Sequence, residues 1–492
     1  MADEIAYLAT QSARADATDG RDDFTLLWGD RTRVLRREGG RAEVHARDRQ
    51  GWVDEDAVEG GQRLLEFYFI DVGQGDGVLI SFPDGKHVLI DGGYKRTMQP
   101  VGKSGADFVD CKFVKDYERD IIHLDAVIAS HCDADHYGGL WDLFTPDTPG
   151  GADELEATGL DVGTFYHAGV GWWTNAQGTR TVGPRQNGEL PVMLEDRASL
   201  AQALGAGIDG HRLQGHWRSF LQAVFDQGCP VERISAGTEW LPGFGESRRN
   251  TAGSVRVLAP VETRAGFLPA LASDNGVTTN GNSVVLRVEY KDARILLTGD
   301  LNKESHDNLL ETYGAHTEEF RCDVGKACHH GSHKVSIAFM ERMNAGVTVF
   351  SSGDNEGHAH PRPESLSAAA VTGHVERKGD RMVTPLLYST ELARSINLGL
   401  VERIVARQTG GAPDLTLDAA QANARVHYSA VLAGDLNPRP GVRSLKGCHV
   451  VGGLIYGLVN VRTDGKKILC AVRNEKNLTW DVNTFQARFG AS

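Results

Sequence analysis

What this chain of 492 residues lacks narrows its class before any motif is considered. It has no excess of positive charge. Its 52 Lys and Arg face 66 Asp and Glu, a net charge of −14, so no global field draws it onto nucleic acid or an anionic membrane. Any such partner must be held locally. Long apolar runs are missing too: the longest, from Val450 to Val461, falls far short of the ~18 residues of a membrane span. The start MADEIAYLAT has no charged, apolar and small succession of a secretion signal. A cytoplasmic chain with no membrane partner is expected. Seven cysteines (Cys111, Cys132, Cys229, Cys322, Cys328, Cys448, Cys470) are odd in number and never form C-x-x-C, which excludes a disulfide framework and a thiolate zinc site. What is present is 40% hydrophobic residues, enough to bury cores in roughly three units at ~150 residues each. The 58 glycines predict many turns.

Residues 1 to 20 are polar and read as a flexible tail. From 21 to 62, short β-type runs alternate with Gly/Asp/Arg turns at the spacing of a small β-barrel. LLWGDRTRVLRREGGRAEVHARDRQGWV resembles a bacterial SH3-like domain, which implies either a packing accessory or a module that docks a protein partner. Next, LEFYFI (65–70), VLISF (78–82) and HVLIDGG (87–93) read as buried strands, and LDAVIAS (124–130) as another. Between about 145 and 278 the pattern loosens into glycine-rich loops with helical text around 197–225, read as an insertion. NSVVLRVEY (282–290) and ARILLTGD (293–300) form a second hairpin, and an amphipathic helix from Asn302 to Tyr313 ends at Gly314. DVGKAC (323–328) and GVTVFSS (346–352) are two more strands with a short helix between. The remainder, 373–492, reads as an α+β extension with a helix near 391–406 and a hairpin turning at Asp464-Gly465. Strands and helices alternate, and each polar cluster follows a strand, where α/β folds collect their chemistry.

Three clusters carry that chemistry. His131-Cys132-Asp133-Ala134-Asp135-His136 packs several ligand types behind a buried strand, and such density is costly unless a cation organises it. Thr298-Gly299-Asp300 and His329-His330-Gly331-Ser332 share the setting. A lone histidine pair is more often structural, but three clusters at three strand ends point to a metal.

In that order, FIDVGQGDGVLISFPDGKHVLIDGG, SHCDADHYGGL, NGNSVVLRVEYKDARILLTGDL, CHHGSHKVS and GHAHPRPESL resemble the hydrolase domain of ComEC-type competence proteins within the metallo-β-lactamase superfamily. The resemblance covers roughly 65–370, interrupted by the insertion, and places a hydrolase domain at 63–372. It implies an α/β fold, the αββα sandwich, with a metal centre at one edge of the two sheets. It assigns His131, Asp133, Asp135 and His136 to the metal loop and Asp300 to a carboxylate bridging two ions. Of the histidine pair, His329 is the first choice of ligand and His330 stays open. Many members carry His at the place of Asp133 and another where Asn280 and Asn282 stand. On the residues alone, Asp135, His136, Asp300 and His329 make one N/O site, and His131, Asp133 and Asp300 an oxygen-richer one. That balance tilts selectivity from zinc toward manganese or magnesium, for one or two divalent ions. His167 is an alternative ligand or a core histidine.

Around the metals, Asp133 or Asp135 could orient the attacking water. His360, with His358 before it, could contact phosphate, protonate the leaving group or only support a neighbour. Lys334 and Arg362 are either phosphate contacts or surface charges. Asp71 and Asp91 are expected to orient the loop rather than ligate, alongside the family positions Gln74 and Asp76. Cys132 should turn away from the metals by period-two alternation. Trp172-Trp173, His211 and His216 read as core or as a lid. The expected activity is metal-dependent hydrolysis of a phosphodiester, nucleic acid or nucleotide. A small ester, lactone or thioester substrate, or a partner-binding scaffold with a degenerate site, are the alternatives.

Overall fold

Alternation along the first strand sets the architecture. In Leu65–Phe69, Phe67 and Phe69 face one way and Tyr68 the other, and all are buried, so this sheet is covered on both sides. The computed structural model describes residues 4–98, 103–145, 155–353, 360–390, 457–473 and 479–490, with strand segments 397–400, 403–406, 415–418, 425–430, 439–444 and 449–452.

The first sheet has nine strands, ordered Val231–Arg233, Gly159–His167, Ile121–Ala129, His87–Ile90, Val78–Ser81, Leu65–Phe69, Val459–Thr463, Lys467–Arg473 and Trp480–Gln486. The second has six: Ser254–Ala259, Val285–Tyr290, Ala293–Leu297, Val324–Lys326, Val347–Phe350 and Leu386–Ser389. Phe67, Phe69 and Ile80 of one meet Val257, Leu286 and Ile295 of the other in a common core. The outer face of the first sheet is covered by helices Gly105–Cys111, Ala134–Phe144 and Gly215–Gln227 through Val109, Leu140 and Phe220. Leu309 of Lys303–Tyr313 and Phe339 of Ile337–Met343 cover the second. These layers are the αββα sandwich, each buried large apolar side chain stabilising it by ~1.5–3 kcal/mol. The helix Lys303–Tyr313 starts where Asn302 accepts from the Ser305 backbone N–H at 3.1 Å and stops at Gly314, whose φ of 52° suits glycine.

Several expectations are corrected. Residues expected to be a flexible tail form strands Glu4–Tyr7 and Ser12–Ala17, because Ala13 and Ala15 alternate with Ser12, Arg14 and Asp16 and give the segment an inner face. They join Phe24–Leu27, Arg31–Glu38, Arg41–Ala46 and Arg49–Asp54 in a six-stranded N-terminal sheet. The segment read as an insertion contributes to both sheets: Gly159–His167 pairs in parallel with Ile121–Ala129, and Ser254–Ala259 pairs with Val285–Tyr290. Gly163 masked that strand in the sequence, yet a Cβ there would lie 2.4 Å from Asp125 O, so close pairing needs the glycine. The C-terminal hairpin completes the first sheet, where Val459–Thr463 pairs antiparallel with Leu65–Phe69. The helix expected near 391–406 is replaced in the described residues by strands Asn397–Leu400 and Arg403–Ala406, in keeping with the β-branched Ile404 and Val405. These strands belong to a separate compact unit, Leu392–Ile455, whose described residues form three antiparallel pairs. Among the described residues no helix is long and apolar enough to cross a membrane.

Candidate metal centre

Strand ends deliver the site. The strand Ile121–Ala129 leads into His131, and the helix Ala134–Phe144, with Asp133 at its N-cap, carries Asp135 and His136 in its first turn. Ala293–Leu297 leads to Asp300, and Val324–Lys326 to the histidine pair. His329 and His330 both adopt left-handed backbone, φ 46° and 53°, and this tight turn brings both rings to Asp300. Local strain of this kind persists where surrounding contacts over-determine it.

His136 Nε2 and His330 Nε2 lie 3.3 and 3.2 Å from Asp300 Oδ2, and His329 Nε2 lies 3.7 Å from it. Asp135 Oδ2 is 3.4 Å from His330 Nε2 and accepts from Gln74 Nε2 at 3.1 Å. The His131 ring is 4.0 Å from that of His136, centre to centre. Asp76, His136, Asp300 and His330 each offer a ligand atom, and these atoms lie within 4.8 Å of one another.

The far nitrogens separate ligands from supports. Asp91 Oδ2 lies 2.8 Å from His136 Nδ1, and Asp91 Oδ1 accepts from the Ser130 backbone N–H at 2.8 Å. Asp76 Oδ1 lies 3.1 Å from His330 Nδ1. Each imidazole is thus backed by a carboxylate and presents Nε2 to Asp300, the arrangement that orients metal-binding histidines. Although Asp76 is close enough to ligate, its ion pair with the buried Lys326 ammonium engages it. Lys326 also donates to Gly299 O at 2.8 Å and stands 3.7 Å from Asp300 Oδ1.

The residues fit a divalent cation. His131 Nε2, His136 Nε2, His330 Nε2 and Asp300 Oδ1 are buried without a well-formed hydrogen bond, an expensive arrangement unless a cation takes their lone pairs. Electrostatics agree. Burial opposes the charged forms of His136 and His330, but Asp300, with Asp91 and Asp76 respectively, outweighs it and raises both. Burial likewise opposes the Asp300 carboxylate, yet His330, His136 and His329 hold it well below the usual range. His131 is lowered by burial and by His136. Burial and neighbouring Asp135 push Asp133 up to about 7, although Trp172 Nε1 donates to its Oδ1 at 3.1 Å. Oriented to donate, the Asn280 amide reaches Asp133 Oδ2 at 2.9 Å. His131 Nε2 is 3.7 Å from the same oxygen.

Other singled-out residues have distinct places. His360 is buried with its ring 5.7 Å from that of His329. Arg362 precedes the helix Pro363–Thr372 at its N-cap position, and its backbone N–H donates to Gly331 O at 2.8 Å. Asn282 donates to Pro269 O and Thr278 O and so holds its own loop rather than the centre. His167 accepts from the Gly169 N–H, away from the cluster, and burial followed by Arg233 pushes it down to about 3. Asp71 pairs with Lys103 at 2.7 Å. Lys334 is exposed, Cys132 packs into the core, and His358 lies outside the described residues. Sequence reasoning missed Lys326 and the pairing role of Asp76. A lysine in an otherwise apolar strand was the available signal, since buried charges must be paired.

Beside Asp133 opens a cleft of 260 Å³ lined by Trp172, Arg180, Tyr137, His216 and Trp217. Arg180 stacks over the Trp172 ring at 3.7 Å.

Residues 70–146 match the Metallo-beta-lactamase superfamily. The chain is 30% identical over 125 residues to Competence protein ComA of Neisseria gonorrhoeae, covering 25% of this chain and 16% of that protein. It is 25% identical over 147 residues to ComE operon protein 3 of Bacillus subtilis (strain 168), covering 30% of this chain and 16% of that protein. The aligned stretch thus spans about a sixth of each relative's length. With the αββα layers and the Asp/His cluster at their edge, these matches show that the chain carries a metallo-beta-lactamase domain with weak homology to both competence proteins.

Proposed function

We propose that the chain is a metal-dependent phosphodiesterase acting on a nucleic acid or nucleotide. The observation that carries this reading is the convergence of His136, His330 and Asp300, with unpartnered ligand atoms, next to a cleft that offers an arginine and aromatic faces. His136 and His330 would hold the ion with Asp300, joined by His131, Asp135 and His329 according to whether one or two ions bind. Nitrogen-rich ligation of the first position suits zinc, while a second, oxygen-richer position suits manganese. A divalent ion there supplies activated water and charge stabilisation at the scissile phosphate.

The chain's own residues do the rest. Asp91 and Asp76 fix the imidazoles, and Lys326 offsets the surplus of buried carboxylate. Asp133, held by Trp172 and Asn280, orients the nucleophile. Arg180 meets a non-bridging phosphate oxygen, and the aromatic lining stacks a base, interactions that tolerate sequence. His360 assists the leaving group. Local contacts of this kind bind a polyanion despite the net charge of −14.

Metal analysis of the purified chain combined with a panel of single- and double-stranded nucleic acids, cyclic dinucleotides, lactones and thioesters tests this. Bound divalent metal with phosphodiester turnover is the expected result. Turnover of lactones or thioesters alone would replace the substrate class, and a metal-free, inactive protein would favour a scaffold.

A further inference from the structure

A second cluster of charge lies away from the metal centre, at the seam where the N-terminal sheet meets the first sheet of the sandwich. A cavity of 170 Å³ there is lined by Arg31, Arg63, Lys112 and Arg119 against one carboxylate, Glu66. Its volume is below the ~300–1,000 Å³ of sites for drug-sized ligands, so it suits a small group. The acidic neighbours do not balance it. Lys112 is paired with Asp116, and Arg31 lies 3.4 Å from Glu118. Glu66 accepts from the Tyr68 hydroxyl and faces Arg462 at 3.7 Å. Among the described residues, Arg63 and Arg119 have no carboxylate partner.

A buried donor on the same wall lacks an acceptor. Tyr117 donates to Ser81 Oγ at 3.2 Å, which leaves the Ser81 hydroxyl proton for His87 Nε2, 3.4 Å away. The His87 ring is 1% exposed, and burial, then Arg63, Arg119 and Lys112, push it down to about 3, so it is neutral. A neutral imidazole that accepts at Nε2 carries its proton at Nδ1. That Nδ1 is buried with no hydrogen-bond partner. An unpaired N–H donor beside two unpaired guanidinium groups calls for one kind of ligand, an anion with several acceptor oxygens.

We infer that this seam is a second binding site, separate from the metal centre, for a phosphate or pyrophosphate group. Arg63 and Arg119 supply the charge, His87 an N–H donor, and Arg31 links the ligand to the N-terminal sheet.

Calorimetric titration of the full chain with inorganic phosphate, pyrophosphate and AMP, against chloride at matched ionic strength, tests it. Running the series also in an Asp300→Asn background removes binding at the metal centre. Binding should persist in that background and weaken at least ~10-fold in Arg63→Gln/Arg119→Gln, the scale of losing charge-assisted hydrogen bonds. The double variant should keep wild-type metal content and a wild-type circular dichroism spectrum. Preference for pyrophosphate or phosphate over AMP identifies a free anion, and the reverse a nucleotide's phosphate; either supports the site. Equal binding by wild type and the double variant, loss of binding only with Asp300→Asn, or no binding of any probe would overturn it.

Discussion

Asp300 is the residue on which the centre turns, because three imidazoles face it and its Oδ1 has no hydrogen bond. Asp300→Asn removes the charge proposed to hold a cation among the buried histidines. Metal content measured by plasma mass spectrometry should fall by more than ~10²-fold in apparent affinity, beyond the cost of losing a supporting carboxylate, and turnover should vanish. His360 stands outside that set, so His360→Ala should retain metal and lose ~10²–10⁴-fold in rate. Full metal and turnover in Asp300→Asn would remove it from the centre. Titration at another residue, His306, bears on stability. It stacks on Phe339, and burial pushes it down to about 3 from 6.5. Below pH 6.5 the unfolded chain takes up a proton that the native state refuses, so stability present above 6.5 is lost as pH falls toward 3. The slope is at most ~1.4 kcal/mol per pH unit for each such imidazole. His306→Gln should therefore flatten the acid limb of stability against pH in chemical unfolding, and an unchanged slope would refute the assignment.

The helix Ala134–Phe144 shows how an element is placed by what its sequence omits. Gly138 and Gly139 let its backbone approach the 92–95 turn, with Gly139 N–H donating to Gly93 O at 2.9 Å and Gly92 N–H to His136 O at 2.7 Å. A Cβ on Gly139 would lie 1.9 Å from Gly92 O, a backbone atom that cannot rotate away. Gly139→Ala should cost ~3 kcal/mol or more, read as a lower urea midpoint, and should displace His136 enough to reduce metal uptake. Apolar runs bounded by turn residues were legible in the sequence: Leu65–Phe69, Val78–Ser81 and Val285–Tyr290 lie where they were read, as does the capped helix Lys303–Tyr313. Gly159–His167 was not, since its glycines imitate a loop until a parallel neighbour is known. Nor was Ser12–Ala17, whose alanines give too weak an apolar signal to reveal an inner face.

At the scale of the molecule, one buried cation ties the N-terminal sheet to the sandwich. Arg462 pairs with Asp30 at 2.7 Å, donates to Trp28 O at 2.7 Å and faces Glu66 at 3.7 Å. Burial opposes its charge, but Asp30 and Glu66 raise it further. Arg462→Met removes the guanidinium between the two carboxylates, leaving Asp30 to Arg47 and Glu66 to the Tyr68 hydroxyl, and should destabilise by ~3 kcal/mol in denaturant unfolding, with part restored by adding Asp30→Leu. If the single variant loses less than ~1 kcal/mol, that network does not hold the two parts together. The sequence by itself determined that potential ligand types crowd behind strand ends, and it determined the strands that read as apolar runs bounded by turns. Only tertiary structure decided which imidazole nitrogen faces Asp300, because that depends on Asp76 and His330 meeting across 254 residues. It also decided that Val459–Thr463 belongs to the first sheet, where Asn460 donates to Phe67 O across 393 residues. Local pattern reports whether a residue prefers burial, whereas the partner it is buried against is set by chain topology.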